Sequence, residues 1–341
     1  MQPGERVGIL LLNTGTTAAP RTKETREYLR EFLSDPRVID IAPWARWLLV
    51  NLIILPFRPR KSAEAYAAIW TERGSPLLAI SLDQREGLKQ RFPDAEIEVG
   101  MGYGKPSIKE ALQKLVDKRV DRIIVAPLFP QYASASSGAV MEAAYRAAAE
   151  RWNVPPISAL PAFYDDPGFL DAWATVAVPP LAEFKPDHVL FSYHGLPERQ
   201  VRKSDPTGHH CLATPNCCDT PVPANRNCYR AQCFATTRAL VQRLGLAEGA
   251  YTVSFQSRLG RDPWLQPATD QVVTELPTRG AKRLAVLCPA FITDCLETLE
   301  EIGLRARESF IEAGGEEFRL VPCLNDNPVW LDALANLLRK L

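Results

Sequence analysis

The sequence predicts an α/β fold of two doubly wound domains. Three observations lead there. Short apolar runs, too brief for helices, alternate with helical patterns along the whole chain. Many of those runs are continuously apolar, as strands of a parallel sheet buried on both faces must be. The two halves also run alike: EVGMGYGKPSIKEALQKLVDKRVDRIIVAPLFP resembles TVSFQSRLGRDPWLQPATDQVVTELPTRGAKRLAVLCPAF. Each passes from strand to turn, Pro, helix, basic residue, strand and a Pro-containing exit. A chain of 341 residues suits two domains, 1–175 and 176–341, facing each other across a cleft.

Composition narrows the function. Lys plus Arg equals Asp plus Glu, 40 each, so no global field draws in nucleic acid. No stretch approaches the roughly 20 apolar residues of a spanning helix. The nearest, WLLVNLIILPF at 47–57, is short and contains Asn51. The N-terminal MQPGERVGILLLNTG lacks a signal peptide's layout and ends as a strand turning into a loop. These features predict a cytoplasmic protein in which disulfides are disfavoured.

In chain order, VGILLLNTG (7–15) is a first buried strand with its exit turn, and 21–34 is a helix with Tyr28, Leu29, Phe32 and Leu33 on one side. The segment 35–61 is apolar on every face and ends in Arg58, Arg60 and Lys61. It reads either as a buried helix or as an exposed apolar lip holding an apolar ligand or resting in a membrane interface. GSPL opens a helix to about Arg91, 97–103 is the second strand, and KPSIKEALQKLVDK is amphipathic. RIIVAPLFPQY (122–132) is the third strand. The small-residue run after it offers Ser134, Ser136 and Ser137 for capping or for an anion. A short extended piece at 155–163 and a helix at about 167–184 lead into the second half. Its strands are predicted at 188–194, 251–257, 283–291 and 318–324.

Two stretches carry chemistry. HVLFSYHGLPE ends a strand on His194, and Gly195 lets the backbone turn there. Ligands of open α/β sheets bind beyond the carboxyl ends of strands, so this imidazole is placed to meet a substrate. In ITDCLETLEEI, Asp294, Glu297 and Glu301 fall at i, i+3 and i+7, one face of an α-helix. The row is either a solvated acidic face favoured by the helix dipole or, with His194, a site for a divalent ion such as Fe²⁺ and for proton removal from a weakly acidic N–H.

SYHGLP, DCLETLEEI, LFPQY with its Ser-rich turn, and FQSRLGRDPWLQP together resemble the ferrochelatases, over essentially the whole chain. The resemblance implies two Rossmann-like domains around a porphyrin cleft and insertion of Fe²⁺ into protoporphyrin IX. It makes His194 the cleft histidine, as metal ligand or base, and Glu297 the opposing carboxylate. Asp294 and Glu301 extend that carboxylate into an acidic track. Tyr103 and Trp264 become walls for the macrocycle, and Arg58 a partner for a propionate. Asn13, Gln131, Tyr132 and Ser134 become substrate-binding positions. Residues 35–61 become a porphyrin mouth in peripheral contact with a membrane. At the position of Cys295 some members, the animal enzymes among them, have His where bacterial relatives often have Cys, so the resemblance does not carry over a second-histidine relay. A homodimer is compatible with the sequence. Alternatives are a cobalt or nickel chelatase, a coproporphyrin III substrate, or a non-catalytic haem or iron sensor on the same fold.

All four His lie between 188 and 210, and five of eight Cys between 211 and 233. Within an insertion at about 205–233 the cysteines run C-x5-C-C-x9-C-x4-C, which in a cytoplasmic protein reads as a metal site. Zinc and [2Fe–2S] both accept four thiolates, and the spacing does not separate them. Some bacterial ferrochelatases carry a [2Fe–2S] cluster in such a segment, so the resemblance favours the cluster. The expected ligands are Cys211, Cys218, Cys228 and Cys233, with Cys217 as alternate to Cys218. His209 and His210 adjoin the segment, while Cys288 and Cys323 read as buried apolar residues.

Overall fold

The computed structural model describes residues 5–258, Gly260 and 262–341. Residues 1–4 of the N-terminal reading, and Leu259 and Arg261 of the FQSRLGRDPWLQP motif, lie outside the described residues. The described strands form two four-stranded sheets in which every pairing is parallel. The first contains β1 (Val7–Thr16), β2 (Glu96–Gly104), β3 (Arg122–Pro127) and β4 (Ile157–Ala159), in the order β2-β1-β3-β4. The second contains β5 (His188–His194), β6 (Tyr251–Gln256), β7 (Arg283–Leu287) and β8 (Glu317–Leu320), in the order β6-β5-β7-β8. Each half therefore repeats the same topology, as the paired sequence segments anticipate.

The chain divides into two compact units. One comprises residues up to Phe129, Ser134–Ala162 and Leu331–Leu341; the other comprises Pro130–Ala133 and Phe163–Trp330. In the first, β1 is central and Leu10 and Leu12 are buried with Val125 and Val140. The Ile108–Asp117 helix covers them because Ile108, Ala111, Leu112 and Leu115 recur at i, i+3, i+4 and i+7. Ser107 and Glu110 start that helix with a reciprocal capping box. In the second, Leu190, Val273, Leu284, Val286, Ile302 and Phe310 form the matching core. Truncating any of these large side chains to Ala costs about 2–5 kcal/mol.

Three strands stop sooner than their apolar runs. β3 ends at Pro127, β7 ends at Leu287 before Pro289, and β8 ends at Leu320 before Pro322. Proline has no N–H to give the ladder. The segment 35–61 resolves into helices Pro43–Leu48, the π-wound Leu49–Ile54 and Leu55–Ile69. Trp44 is 71% and Phe57 78% exposed, with Trp47, Leu52 and Ile53 also exposed. The segment is therefore not a helix buried on every face: Val50, Ile54 and Leu55 turn inward, and the five side chains just named turn outward. No helix among the described residues is long and apolar enough to cross a membrane.

Candidate functional site

In each sheet the strand order reverses between the first strand and the third, and ligands of such folds bind at carboxyl ends near that reversal. His194 is the last residue of β5, and its register partner is Gln256, the last residue of β6. The Gly195 N–H donates to the Gln256 carbonyl at 2.8 Å. A Cβ at Gly195 would lie 2.7 Å from that oxygen and 3.3 Å from the Trp264 ring, so only glycine turns the chain here. His194 Nδ1 stands 2.7 Å from the Gly195 carbonyl, which only accepts. That bond puts the proton on Nδ1 and leaves the Nε2 lone pair for a proton or a metal ion. The Phe291 ring lies 6.4 Å from the imidazole, centre to centre.

Gln256 joins this imidazole to the acidic segment. Its side chain is buried, accepts from the Ser192 hydroxyl at 2.7 Å and donates to the Glu297 carbonyl at 2.8 Å. Its Nε2 also lies 3.4 Å from Glu301. Ser257, at φ 67°, donates its N–H to Glu301 at 2.8 Å and its hydroxyl to the same carboxylate. The expected α-helical face does not form as drawn. Glu297–Ala306 winds as a π-helix, and Asp294 precedes it. The wider i→i+5 winding changes the side-chain period, and such windings recur at functional sites.

Asp294 is buried, and its carboxylate accepts from the Asn325 amide at 2.7 Å and the Thr298 hydroxyl at 2.9 Å. The Cys323 N–H approaches it at 3.4 Å. Asp294 thus ties the start of the acidic helix to the exit of β8. Burial pushes the Cys295 thiol well above its ordinary range, and the negative charge of the Glu297 carboxylate pushes it further.

The other expected substrate positions divide between the units. In the second, Gln131 is buried, and its amide donates to the Thr236 hydroxyl at 3.0 Å while its Oε1 has no hydrogen-bond partner. The Tyr132 N–H donates to Gln232 at 2.6 Å. Trp264 lines a cavity of about 310 Å³ together with Glu198, Arg258, Asp262 and Gln266. In the first unit, Asn13 is buried with its amide 3.5 Å from Ser81. Tyr103 is buried too, its hydroxyl donating to Asp35 at 2.9 Å and its ring 5.1 Å from Phe32. Ser134 accepts from Arg37 at 2.9 Å, and Arg58 is exposed in the lip.

All eight cysteines are free thiols. The five of the insertion are buried despite its irregular backbone. The Cys217 and Cys218 sulfurs lie 3.8 Å apart, and the Arg230 guanidinium donates to Cys218 at 3.1 Å and reaches Cys217 at 3.7 Å. Cys211 Sγ lies 4.0 Å from the Ala224 carbonyl. Two side chains organise the loop. Asp205 accepts from the backbone N–H groups of Thr207, His210 and Cys211 at 2.7–2.8 Å. Asn225 donates to the carbonyls of Cys217 and Thr220. His210 meets the Cys217 carbonyl at 3.2 Å, and His209 meets that of Thr207 at 2.8 Å. Among the described residues no group of three or more His, Cys, Asp or Glu side chains is arranged as a ready metal site. The donor set still fits a thiolate-held group: five buried cysteines in one loop and the first turns of the helix after it, two of their sulfurs 3.8 Å apart with N–H donors aimed at them, and no competing disulfide.

Gln256 and Asp205 carry no catalytic motif in the sequence that marks them as organising residues. Gln256 was open to discovery as the polar end of an apolar strand, the same signal that singled out His194.

The ferrochelatase family profile matches residues 6–341. The ferrochelatase of Azotobacter vinelandii (strain DJ) is 47% identical over 333 residues, covering 97% of this chain and 98% of the relative. That of Ectopseudomonas mendocina (strain ymp) is 48% identical over 328 residues, covering 96% and 95%. Among solved structures, the cobalt complex of the sirohydrochlorin chelatase SirB from Bacillus subtilis subspecies spizizenii superposes with a TM-score of 0.55. It covers 98% of this chain and 94% of that one at 11% identity, a likeness of fold.

Proposed function

The chain belongs to the ferrochelatase family, and we propose on that footing that it inserts Fe²⁺ into protoporphyrin IX to form protohaem, the last step of haem biosynthesis. The observation that carries the site assignment is the His194 imidazole at the end of β5. Its Nε2 lone pair is available, and Glu297 is tethered beside the same strand ends through Gln256.

The chemistry follows from charge. The macrocycle gives up two pyrrole protons and takes up a divalent ion, so the ring stays neutral and two protons leave. Oriented by its bond to Gly195, His194 accepts pyrrole protons in turn or ligates the arriving Fe²⁺. Glu297 and Glu301, with Asp294 at their base, supply negative charge for the incoming cation and a path for the outgoing protons. Binding energy from ring faces and propionates bends the macrocycle and exposes its nitrogen lone pairs. Asn13, Arg58, Tyr103, Gln131, Tyr132, Ser134 and Trp264 are the residues assigned to that binding. The outward apolar side chains of the lip, with Arg58, Arg60 and Lys61, suit a membrane interface from which an apolar porphyrin is taken.

In the insertion, Cys211, Cys218, Cys228 and Cys233 would hold a [2Fe–2S] cluster, with Cys217 as the alternate to Cys218. When bound, the cluster supplies a redox-active, oxidant-sensitive tie across the loop. Metal insertion involves no net redox, so no step of the reaction uses it. The visible spectrum of anaerobically purified protein decides this: an iron–sulfur chromophore supports the cluster, and a colourless zinc protein refutes it.

Replacing His194 with Ala is expected to reduce haem formation at least a hundredfold, while porphyrin binding, read by fluorescence quenching, stays within a few fold. Turnover retained in that variant refutes the assignment.

A further inference from the structure

Two side chains of one helix hold the segment Gln131–Tyr132. The helix Tyr229–Leu244 carries Gln232 and Thr236 at i and i+4, on one face, and both are buried. They belong to the same compact unit as Pro130–Ala133. Gln232 Oε1 accepts the Tyr132 N–H at 2.6 Å, and its amide nitrogen donates to the Arg226 carbonyl at 2.9 Å. The Phe163 N–H donates to the Pro130 carbonyl at 3.0 Å, which fixes the segment from its other end.

Thr236 Oγ1 stands 3.0 Å from the Gln131 amide. Its hydroxyl has one proton, and that proton faces two carbonyls, of Tyr164 at 2.8 Å and of Gln232 at 3.1 Å. Carbonyls only accept, so the Thr236 oxygen is left to accept from Gln131. The Gln131 amide nitrogen must therefore face Thr236. The Pro289 carbonyl, 3.5 Å from that nitrogen, demands the same orientation. Both constraints turn Oε1 the other way. Gln131 is 2% exposed, yet its Oε1 has no hydrogen-bond partner among the described residues. Buried acceptors are nearly always paired, so this one points to a donor that arrives from outside the chain. Pro289 stands two residues before Phe291, whose ring lies 6.4 Å from the His194 imidazole. The amide is thus anchored to the strand exit that borders His194.

We propose that Thr236 is a positioning residue for Gln131: it turns the amide so that Oε1 accepts a hydrogen bond from a donor on the bound substrates. The reaction brings two such donors, the pyrrole N–H of the free macrocycle and water carried on Fe²⁺. Ionised propionates only accept and are excluded as the partner. Gln232 holds the backbone of the next residue, so the oxygen keeps its place while the substrates change. This contact rests on the proposed insertion of Fe²⁺ into protoporphyrin IX and adds an acceptor to it.

The test uses the full chain. Thr236→Val keeps the shape and deletes the acceptor, Thr236→Ser keeps the hydroxyl, and Gln131→Leu deletes the amide. Thermal unfolding checks that each variant folds; if Thr236→Val does not, Thr236→Ala carries the same prediction. Quenching of protein fluorescence reads affinity for protoporphyrin IX and for its zinc complex, which has no N–H, and haem formation reads the KM for Fe²⁺. If the donor is the pyrrole N–H, Thr236→Val and Gln131→Leu weaken protoporphyrin binding about tenfold and zinc protoporphyrin binding less than about twofold. If the donor is iron-borne water, the KM for Fe²⁺ rises about tenfold and both porphyrins bind as in wild type. In either case Thr236→Ser behaves as wild type, and Thr236→Val combined with Gln131→Leu loses no more than Gln131→Leu alone. Variants with unchanged affinities and unchanged KM overturn the proposal, because Oε1 then serves no substrate. Equal weakening of the two porphyrins overturns it too, as do losses that multiply in the pair. If the wild-type chain forms no haem from Fe²⁺ and protoporphyrin IX, the proposed function fails first. If it forms haem and Thr236→Val is normal, only the orienting role fails.

Discussion

Gln256→Leu separates a structural from a catalytic role for the acidic helix. The substitution keeps most of the volume and deletes both ends of the amide bridge. Ser192 loses an acceptor at 2.7 Å but retains Thr269 at 2.9 Å, so its hydroxyl is not orphaned. The Glu297 carbonyl loses a donor at 2.8 Å and Glu301 one at 3.4 Å. A buried group left without its partner costs about 1–3 kcal/mol, and with one main loss the expected destabilisation is about 2 kcal/mol. For domains of about 150–250 residues each kcal/mol lowers Tm by about 2–4 °C, giving a fall of roughly 4–8 °C. With Glu297 less firmly placed, kcat should fall about tenfold, equal to about 1.4 kcal/mol of barrier. Porphyrin affinity should hold. Gln256→Glu sharpens the test, because it sets a second carboxylate beside Glu301 in a buried site. Two carboxylates at that distance share a proton, and one pKa rises. A carboxyl raised in the folded state holds a proton that the unfolded chain has lost above its ordinary pKa of about 4.3. Its penalty is therefore absent in acid and grows as pH rises through the raised value. Urea unfolding at about pH 5 and pH 8 should show Gln256→Glu approaching wild type only at the lower pH, with the denaturant slope unchanged. If Gln256→Leu melts and turns over like wild type, the amide is not what holds Glu297.

Three further outcomes follow from single environments. Burial holds the His188 imidazole below its ordinary 6.5, with Nε2 2.9 Å from Thr252. The unfolded chain therefore takes the proton first, so this stability is complete above 6.5 and is lost as pH falls through the folded value. Urea unfolding of His188→Gln between about pH 5 and 6.5 should lose less stability on acidification than wild type. Arg230 places a fixed positive charge 3.1 Å from the Cys218 sulfur. With the cluster bound, Arg230→Met should favour the oxidised state about tenfold, a fall of about 59 mV for one electron in potentiometric titration. Trp47→Ser combined with Phe57→Ser should lower binding to anionic vesicles at least tenfold in co-sedimentation, since each buried aromatic contributes about 1.5–3 kcal/mol. The same pair should leave Tm unchanged, because both rings are exposed in the chain.

The parts legible in the sequence are those governed by local rules. A central parallel strand must be apolar on both faces, so VGILLLNTG and HVLFSYH announce β1 and β5 without any tertiary information. Overruns at β3, β7 and β8 come from applying that rule past prolines that end the ladder. His194 was readable because a polar residue closing an apolar run, followed by glycine, leaves few placements in such a fold. The Asp205 turn was readable in principle: Asp-Pro-Thr-Gly is an Asx-turn pattern, and it organises the loop that the cysteines occupy.

What the sequence hid is of another kind. The acidic row was drawn on a period of 3.6, yet the chain winds wider from Glu297 to Ala306. Apart from Gly303, nothing in ETLEEIGLRA departs from α-helical propensity, because leucine, glutamate and arginine are all good helix formers. The cause lies outside the segment. Asn325, Thr298 and Cys323 hold Asp294 at its start, while Gln256 and Ser257 hold Glu297 and Glu301 from β6. A helix pinned at two places by partners from different strands takes the winding that satisfies both, and local propensity yields. Thr237 is hidden for the same reason. Its helix, Tyr229–Leu244, follows the cysteine loop, and only the packing beside β5 shows that its hydroxyl meets that of Tyr193 at 2.7 Å. In both cases the residues that set the geometry of the site are those whose partners lie tens of residues away, where no spacing rule applies.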